Sequence, residues 1–415
     1  MKIKIHRGTH EIGGTCIEIT ANNGKTLLVD FGSPLSEDNP NIDYAENLKA
    51  DAVLISHAHQ DHYGLLPVID RDTQIYIGKV SVELINLVNG FMGREKFTHN
   101  INQIFAWKQF IIDDTFKIFP YLVDHSSPEA FAFLIEVDGK RIFYSGDFRD
   151  AGYKKEVFSR LIKKPPKNID LMFIEGTMIE RDNQKYKTEE DIYDAFYDIF
   201  KNQNNVSFVL SSAQNVDRFI SIFKACLKLN KTVVIDVYTA KILDIVKQNS
   251  KGLPVIDWNN IKVYNDGNQI KKLSYDKEFI DRINKNSIKN SVFYDPKNFV
   301  YFLRVPSKKL IEELLKKGGD INIVFSQWEG YLKKEHSMYY TPYINELKTT
   351  NNIKYSHIHT SGHATIDKLI LLIKKLNPKQ VVPIHTEQPE KLKKIFNDTK
   401  LSDIAVWEDK IEYSL

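Results

Sequence analysis

Three histidines and one aspartate occur within six residues of this chain, in the run His57-Ala-His59-Gln-Asp61-His62. The run directly follows the apolar segment at 53–56. Four specified residues in six positions arise by chance on the order of 10⁻⁵ per start position. Imidazole and carboxylate groups without thiolates are typical ligands of a catalytic zinc ion that keeps one position open for water. The run therefore predicts a metal-dependent hydrolytic site.

Six further ionisable residues each lie beyond the end of an apolar, strand-like run: Asp30, His125, Asp147, Glu175, His363 and His385. In open α/β sheets, ligand sites form beyond the carboxyl ends of the strands. Side chains that are distant in the sequence are therefore expected to converge on one rim.

The candidate ligands are too many for one ion. One ion would take His57, His59 and His125, and a second would take Asp61, His62 and His385, with Asp147 bridging them. Two cations about 3.5–4 Å apart that share a hydroxide are the arrangement used for phosphoester displacement. Asp61 would offset part of the positive charge and steer the hydroxide, so it is a catalytic candidate as well as a ligand. Asp30 is expected to support the ligands without binding an ion.

Length and composition are those of a globular protein with ample core. The 415 residues suggest two domains, or one domain with a large insertion. With 42% hydrophobic and 27% charged residues, the chain is neither disordered nor collagen-like. No segment has the roughly 18 consecutive apolar residues of a membrane span, and the N-terminus lacks the apolar core of a secretory signal. The two cysteines provide neither a disulfide framework nor a thiolate cluster, which predicts a cytoplasmic protein that does not contact membranes.

The texture of the chain changes near residue 188. Residues 1–175 are mostly short β-type segments, with an Asp138-Gly139 hairpin turn as the strongest local signal. From Thr188, a predicted helix cap, strands alternate with helices of 10–15 residues, which indicates βαβ units and a parallel sheet. The pattern of a strand followed by a helix resumes near Lys354.

The middle third of the chain is basic although the net charge is only +3. Residues 185–345 contain 25 lysines and arginines against 19 acids, whereas the rest of the chain has 32 against 35. A basic segment next to an acidic one suggests that a polyanion is bound beside a cation site. Each lysine taken alone remains better explained as solvated surface.

The histidine run, with His125, Asp147 and His385, resembles the metallo-β-lactamase fold superfamily. Glu175 in Phe-Ile-Glu-Gly-Thr, His363 in Thr-Ser-Gly-His-Ala and His385 in Val-Pro-Ile-His-Thr-Glu resemble motifs A, B and C of the β-CASP nucleases. The Ser-Gly-His-Ala motif and the opening run from His6 to Cys16 are most similar to ribonuclease J and its short relatives. Two features depart from ribonuclease J: motif A has Glu where Asp is usual, and the chain ends at Leu415, so the C-terminal domain is expected to be missing.

This resemblance implies the fold class, which is α/β: an αββα sandwich formed by residues 1–185 and 346–415, with a Rossmann-like, parallel-sheet β-CASP insert at 186–345. It also implies two Zn²⁺ per chain, for which Mn²⁺ is a substitute that such ligands accept. Glu175 and His363 are then catalytic candidates: the histidine stabilises the phosphate or protonates the leaving oxygen, and the acid orients it.

Two short segments are candidates for phosphate binding. Ser212, Asn215 and Arg218 lie where a predicted strand runs into a helix, and N–H groups at a helix N-terminus bind phosphate. The alternative, that Ser212 merely caps the helix, explains the pattern equally well. Thr360, Ser361 and Gly362 precede His363 and could present backbone N–H groups to a phosphate.

The function predicted from these features is a zinc-dependent ribonuclease that cleaves single-stranded RNA from the 5′ end, internally, or both, in RNA processing or decay. A nuclease for single-stranded DNA and a purely endonucleolytic β-CASP enzyme are the alternatives. A small-molecule metallo-hydrolase is more remote, since that branch lacks an insert of this size and counterparts to Glu175 and His363. A non-catalytic scaffold subunit is also remote, since every ligand position is filled. The sequence leaves open whether the protein is a monomer or a homodimer.

Overall fold

The computed structural model describes residues 1–35, 42–179, 185–202, 205–250, 252–288, 296–333, 341–398 and 402–415. The chain forms two compact units. Unit 1 comprises Met1–Leu87, Glu95–Asn183 and Gly362–Leu415, and unit 2 comprises Val88–Arg94 and Gln184–Ser361. Among the described residues, no helix is both long and apolar enough to span a bilayer.

The strands are β1 (Lys2–Arg7), β2 (Cys16–Thr20), β3 (Thr26–Val29), β4 (Ala52–Leu54), β5 (Gln74–Gly78), β6 (Asn100–Ile104), β7 (Phe110–Ile112), β8 (Phe116–Val123), β9 (Ala130–Val137), β10 (Lys140–Tyr144), β11 (Leu171–Glu175), β12 (Asn205–Leu210), β13 (Thr232–Asp236), β14 (Ile261–Tyr264), β15 (Phe299–Leu303), β16 (Asp320–Phe325), β17 (Ile353–His357), β18 (Gln380–Ile384), β19 (Asp403–Ile404) and β20 (Glu412–Ser414). The helices are α1 (Asp43–Glu46), α2 (Gln60–Tyr63), α3 (Lys79–Phe91), α4 (Lys155–Lys163), α5 (Glu189–Phe200), α6 (Val216–Lys228), α7 (Val237–Lys247), α8 (Gly267–Lys272), α9 (Lys277–Asn286), α10 (Lys308–Lys316), α11 (Thr341–Thr349), α12 (Ile366–Leu376) and α13 (Pro389–Asp398).

Unit 1 is built on two sheets, with strand orders β20-β1-β2-β3-β4-β5-β6 and β19-β18-β11-β10-β9-β8-β7. Alternate residues such as Ile3 and Ile5 of the first sheet join Phe133 and Phe173 of the second in one buried cluster. The opposite face of the second sheet is buried beneath helices, as in the cluster that contains Leu369 of α12. Because each strand directs successive side chains to opposite faces, the second sheet is apolar on both.

Unit 2 contains one sheet in the order β14-β13-β15-β12-β16-β17, and every neighbouring pair in it is parallel. Its central strands are buried on both faces; in β12, for example, every residue from Val206 to Leu210 is buried. Continuous apolar strands of this kind are typical of parallel sheets covered by helices on both sides. The predicted fold class, a two-sheet sandwich with a parallel-sheet insert, is confirmed.

Several local signals were sufficient to predict their elements. The Asp138-Gly139 turn joins β9 to β10, and both residues have a positive φ. Thr188 caps α5 in a reciprocal capping box with Asp191. The strand and helix predicted from about Lys354 onward are observed as β17 and α12.

The boundary expected after residue 345 differs from the observed division, because unit 2 extends to Ser361. The reason is β17, which pairs in parallel with β16 from Ile321↔Ile353 to Phe325↔His357. Composition near residue 346 resembles the start of a new βα pattern, but hydrogen bonding to β16 places this strand in the sheet of unit 2.

Candidate metal centre

The candidate ligands of unit 1 follow the carboxyl ends of strands. Asp30 follows β3, His57 follows β4, Asp147 follows β10 and His385 follows β18. Since β3 and β4 are parallel neighbours, as are β10, β11 and β18, these ends meet at common edges. His125 arrives at the same cluster from the end of β8.

Three histidine side chains form the first candidate cation site. His57 Nε2 lies 3.0 Å from His59 Nδ1, and His125 Nε2 lies 3.1 Å from the same His59 atom. Three nitrogens bound to one tetrahedral zinc ion at 2.0–2.1 Å would be about 3.3 Å apart, close to the distances observed.

Hydrogen bonds behind these rings determine which nitrogen faces inward. His57 Nδ1 lies 3.0 Å from Ser56 Oγ, and His125 Nδ1 donates to the Gly362 carbonyl oxygen at 2.6 Å. With Nδ1 protonated, each ring directs the lone pair of Nε2 at His59. A cation bound between these nitrogens would be shared by all three lone pairs, so this donor set fits a zinc ion.

The second candidate site contains Asp61, His62 and His385, whose ligand atoms lie within 4.8 Å of one another. Asp61 Oδ2 is 3.2 Å from His385 Nε2 and 3.8 Å from His62 Nε2. A contact at Nδ1 orients each of these two rings. His62 Nδ1 donates to Asp30 Oδ2 at 2.7 Å, and His385 Nδ1 lies 2.9 Å from Thr177 Oγ1.

Asp147 lies between the two sites. Its Oδ2 atom is 3.2 Å from His62 Nε2 and 3.9 Å from the Nε2 atoms of His57, His125 and His385. One oxygen therefore lies within 4 Å of ligand nitrogens from both groups, a separation that two zinc–ligand bonds of about 2 Å each would span.

The main chain around this cluster is tightly constrained. His385 and Asp30 both have positive φ, 51° and 57°, in a region that non-glycine residues seldom occupy and that is enriched at functional sites. The His385 N–H donates to the Gly8 carbonyl oxygen at 2.7 Å. At Gly32, a Cβ would lie 1.7 Å from the Asp61 carbonyl oxygen, so only glycine permits this approach.

Electrostatics favour neutral imidazoles at the first site. Burial is the main reason that the pKa values of His57 and His125 lie well below the usual range, and it lowers the pKa of His59 to about 4. A histidine must be neutral to bind a metal ion, so these three rings are ready to do so at neutral pH.

The second site is anionic. Burial opposes ionisation of Asp61 and Asp147, but neighbouring histidines outweigh it and lower the pKa of both carboxyls. Burial likewise opposes protonation of His62, yet the charges of Asp147, Asp61 and Asp30 raise its pKa well above the usual value. A dication would take over the role of the proton on His62.

Glu175 and His363 form a pair beside the ligands. His363 Nδ1 lies 3.0 Å from Glu175 Oε2 and 3.7 Å from Asp147 Oδ2. Glu175 Oε1 also accepts from the N–H groups of Phe148 and Ala364, which hold the carboxylate in place. Burial would lower the pKa of His363, but the charges of Glu175 and Asp147 raise it to about 9. The two side chains also lie close enough to Asp147 and His385 to form a further candidate ligand group.

Arg218 is not available to bind phosphate, contrary to the prediction from the sequence. Its guanidinium is fully buried in unit 2, where it forms two hydrogen bonds of 3.1 Å with the carboxylate of Glu189. It also donates to the carbonyl oxygens of Ser326, at 2.9 Å, and Thr360, at 3.3 Å.

Asn215 has a structural role that the sequence assigned to Ser212. Asn215 Oδ1 accepts from the Arg218 N–H at 3.2 Å and thereby caps α6, while Ser212 is exposed and its Oγ accepts from the Gln214 N–H. Gly362 supplies its carbonyl oxygen to His125. Phosphate binding by Ser212, Thr360, Ser361 and the Gly362 N–H stays a prediction.

Replacing Arg218 with methionine should destabilise unit 2 by about 3–5 kcal/mol, because the buried carboxylate of Glu189 would lose the guanidinium that neutralises its charge. Denaturant unfolding of the variant measures this loss. The double variant Arg218→Met/Glu189→Gln should recover part of it. A stable Arg218→Met protein with weakened RNA binding would instead favour the original phosphate-binding assignment.

Three residues that the sequence did not single out contribute to the site: Ser56, Tyr144 and Thr177. Ser56 and Thr177 contact ligand histidines, and the Tyr144 hydroxyl donates to Asp30. Ser56 and Thr177 lie within two residues of His57 and Glu175, a proximity that offered a weak signal. Tyr144 ends an apolar strand, and nothing in its neighbours in the sequence marks it.

Residues 28–195 match the β-lactamase superfamily domain, and residues 352–394 match the Zn-dependent metallo-hydrolase RNA specificity domain. The first includes the histidine run, and the second includes His363 and His385.

Similar proteins extend this match along the chain. Ribonuclease J of Mycoplasma pneumoniae is 25% identical, over 93% of this chain and 68% of that protein. An RNase J-like protein of Methanocaldococcus jannaschii is 24% identical, over 94% of this chain and 93% of that protein. A crystal structure of a protein of unknown function from Enterococcus faecalis has the same fold, with a TM-score of 0.76 at 21% identity, covering 100% of this chain and 99% of that one. Together, the two matched domains and these relatives support a ribonuclease J-like protein with the metallo-β-lactamase fold and a β-CASP insert.

Proposed function

We propose that this protein is a zinc-dependent ribonuclease that hydrolyses phosphodiester bonds of single-stranded RNA. The observation that carries the proposal is Asp147 Oδ2, which lies 3.2–3.9 Å from histidine nitrogens of both candidate cation sites. Paired cation sites with a shared carboxylate suit in-line displacement at phosphorus. The RNA specificity domain matched at residues 352–394 and the ribonuclease J relatives support RNA as the substrate.

Two zinc ions per chain would be held by the two groups, with His57, His59 and His125 on one side and Asp61, His62 and His385 on the other. Bound there, zinc supplies positive charge for phosphate oxygens and activates water near neutral pH. Histidine and carboxylate ligands also accept manganese, so Mn²⁺ should support activity in vitro.

The remaining chemistry belongs to side chains of the protein. Asp61 is anionic, so it orients an attacking water by accepting a hydrogen bond. His363 donates a proton to the leaving oxygen or a hydrogen bond to the phosphate, and Glu175 keeps its Nδ1 protonated. This assignment uses the imidazole Nε2 of His363 toward substrate, because Nδ1 is engaged by Glu175.

The Gly362 carbonyl oxygen accepts a hydrogen bond from the candidate ligand His125, so a phosphate held by the Gly362 N–H group would lie next to that ligand. A phosphate-binding site in this position would bind the 5′-terminal phosphate of the RNA and would set the product length at about one nucleotide. We therefore propose 5′→3′ trimming as the main activity, in a cytoplasmic protein.

RNA with a 5′-monophosphate should be degraded to mononucleotides faster than RNA with a 5′-triphosphate, because the larger triphosphate does not fit the same phosphate-binding site. Incubation of end-matched RNAs and of single-stranded DNA, with product sizes determined on gels, measures this. Internal cuts indifferent to the 5′ end would favour the endonucleolytic alternative. Equal rates on DNA would contradict the RNA assignment.

Binding of RNA should weaken as salt rises, because lysines and arginines of the basic segment at 185–345 would displace counterions from phosphates. The slope of log affinity against log salt, measured with uncleavable RNA, gives the number of phosphate contacts at roughly 0.7 per contact. An affinity independent of salt would contradict this role of the segment.

A further inference from the structure

The buried carboxylate of Asp30 is the meeting point of three side-chain donors in unit 1. Its Oδ2 atom accepts from Ser56 Oγ at 2.8 Å, from His62 Nδ1 at 2.7 Å and from the Tyr144 hydroxyl. Its other oxygen accepts from the Ser56 N–H at 2.7 Å. None of these four donors is within 20 residues of Asp30 in the sequence.

Tyr144 approaches this carboxylate from the other sheet. It is the last residue of β10 in the second sheet, whereas Asp30 follows β3 in the first. Its ring is 1% exposed and stacks on Phe133 in the core between the sheets. Asp147, the candidate bridge, follows Tyr144 three residues later on the same side of the sandwich.

Asp30 in turn contacts histidines of both candidate sites. It bonds directly to His62, and it bonds through Ser56 Oγ to Nδ1 of His57. Because Ser56 Oγ donates to Asp30, its lone pairs are free to accept from His57 Nδ1. One carboxylate therefore sets the tautomer and orientation of a ligand in each group.

We infer that Tyr144 is a positioning residue for the metal centre: its hydroxyl fixes Asp30, and thereby the ligands carried by the first sheet, relative to Asp147 on the second. This inference rests on the proposed metal-dependent function. With three donors on one oxygen and a main-chain donor on the other, the carboxylate cannot rotate. Without the Tyr144 hydroxyl, the Asp30 carboxylate keeps its charge. Of the four contacts described above, it loses the one that comes from the strand leading to Asp147.

Tyr144→Phe tests the inference, because it removes one oxygen and keeps the ring that packs on Phe133. Zinc affinity of the metal-free full chain is measured by competition with a chromophoric chelator. Outer contacts of metal ligands typically change affinity by 10–100-fold, so the more weakly bound ion should lose about 10-fold. The absorption spectrum of the Co²⁺-loaded variant should change. In the metal-free protein, NMR should show faster solvent exchange of the His62 Nδ1 proton, because the Asp30 carboxylate that accepts it is less firmly held.

Tyr121→Phe is the matched control, since Tyr121 is a buried tyrosine of β8 that packs on Phe143 of the same sheet. It should leave zinc affinity, the Co²⁺ spectrum and His62 unchanged, with a similar melting temperature of the metal-free protein. Unchanged affinity and unchanged exchange of the His62 Nδ1 proton in Tyr144→Phe would overturn the inference, as would a loss no larger than that of the control. If the wild-type chain binds fewer than two ions, the two-ion proposal fails, and exchange of the His62 Nδ1 proton in the metal-free protein still decides the role of Tyr144.

Discussion

Replacing Asp61 with alanine should abolish turnover and leave one zinc ion per chain. Asp61 is the only carboxylate of the second candidate group apart from the bridging Asp147, and its lowered pKa keeps it anionic at neutral pH. Without it, two histidines and a shared carboxylate must hold a dication, so the affinity for that ion should fall by more than the 10–100-fold typical of outer contacts. Elemental analysis and single-turnover cleavage of labelled RNA measure the two effects.

Asp72→Ala is the matched control, because Asp72 is an exposed aspartate of the same unit. It should retain both ions and full activity. Asp61→Asn, which keeps the shape and loses the charge, should behave like Asp61→Ala. Active wild-type protein with one ion or none would refute the two-ion centre, and an active Asp61→Ala variant would remove Asp61 from the mechanism.

Replacing His363 with alanine should reduce the rate by about 10²–10⁴-fold while both ions stay bound, as expected for loss of a general acid. His99→Ala is the control: its ring stacks on Phe97 and its loss should leave the rate unchanged. Metal content that fell in step with activity would make His363 a ligand. Because His363 Nδ1 lies only 3.7 Å from Asp147 Oδ2, the metal content of this variant distinguishes a general acid from a metal ligand.

The pH dependence follows from the same pair. A raised pKa means that His363 carries its proton below about 9 and loses it above. Activity that needs this proton should therefore decline on the alkaline side. The decline should occur at pH 9 or lower, because bound cations disfavour the positive charge of the protonated His363 ring and so lower its pKa. The decline should be absent from the residual activity of His363→Ala, and an alkaline limb that survives in this variant would have another origin.

The clustering of the candidate ligands was predictable where these residues are close in sequence or follow the ends of strands. The run from His57 to His62 places four groups on one strand end and the first turn of α2, so local geometry alone brings them together. His125, Asp147 and His385 were predictable for a different reason. An ionisable residue that directly follows a buried strand lies at the carboxyl end of that strand. Strands that run in the same direction have these ends at the same edge of the sheet.

The tertiary structure alone decided the residues whose role depends on a distant partner. Ser212-Ala-Gln-Asn215 has the local pattern of a phosphate-binding helix start, yet Arg218 turns inward because Glu189, Ser326 and Thr360 surround it. The role of Tyr144 could not be predicted from its apolar strand, because its polar partner, Asp30, belongs to the opposite sheet. The spacing of residues determines local geometry, and therefore which groups leave a strand or begin a helix together. Which buried donor meets which buried acceptor depends on how sheets and helices pack, because a desolvated polar group is stable only beside its partner.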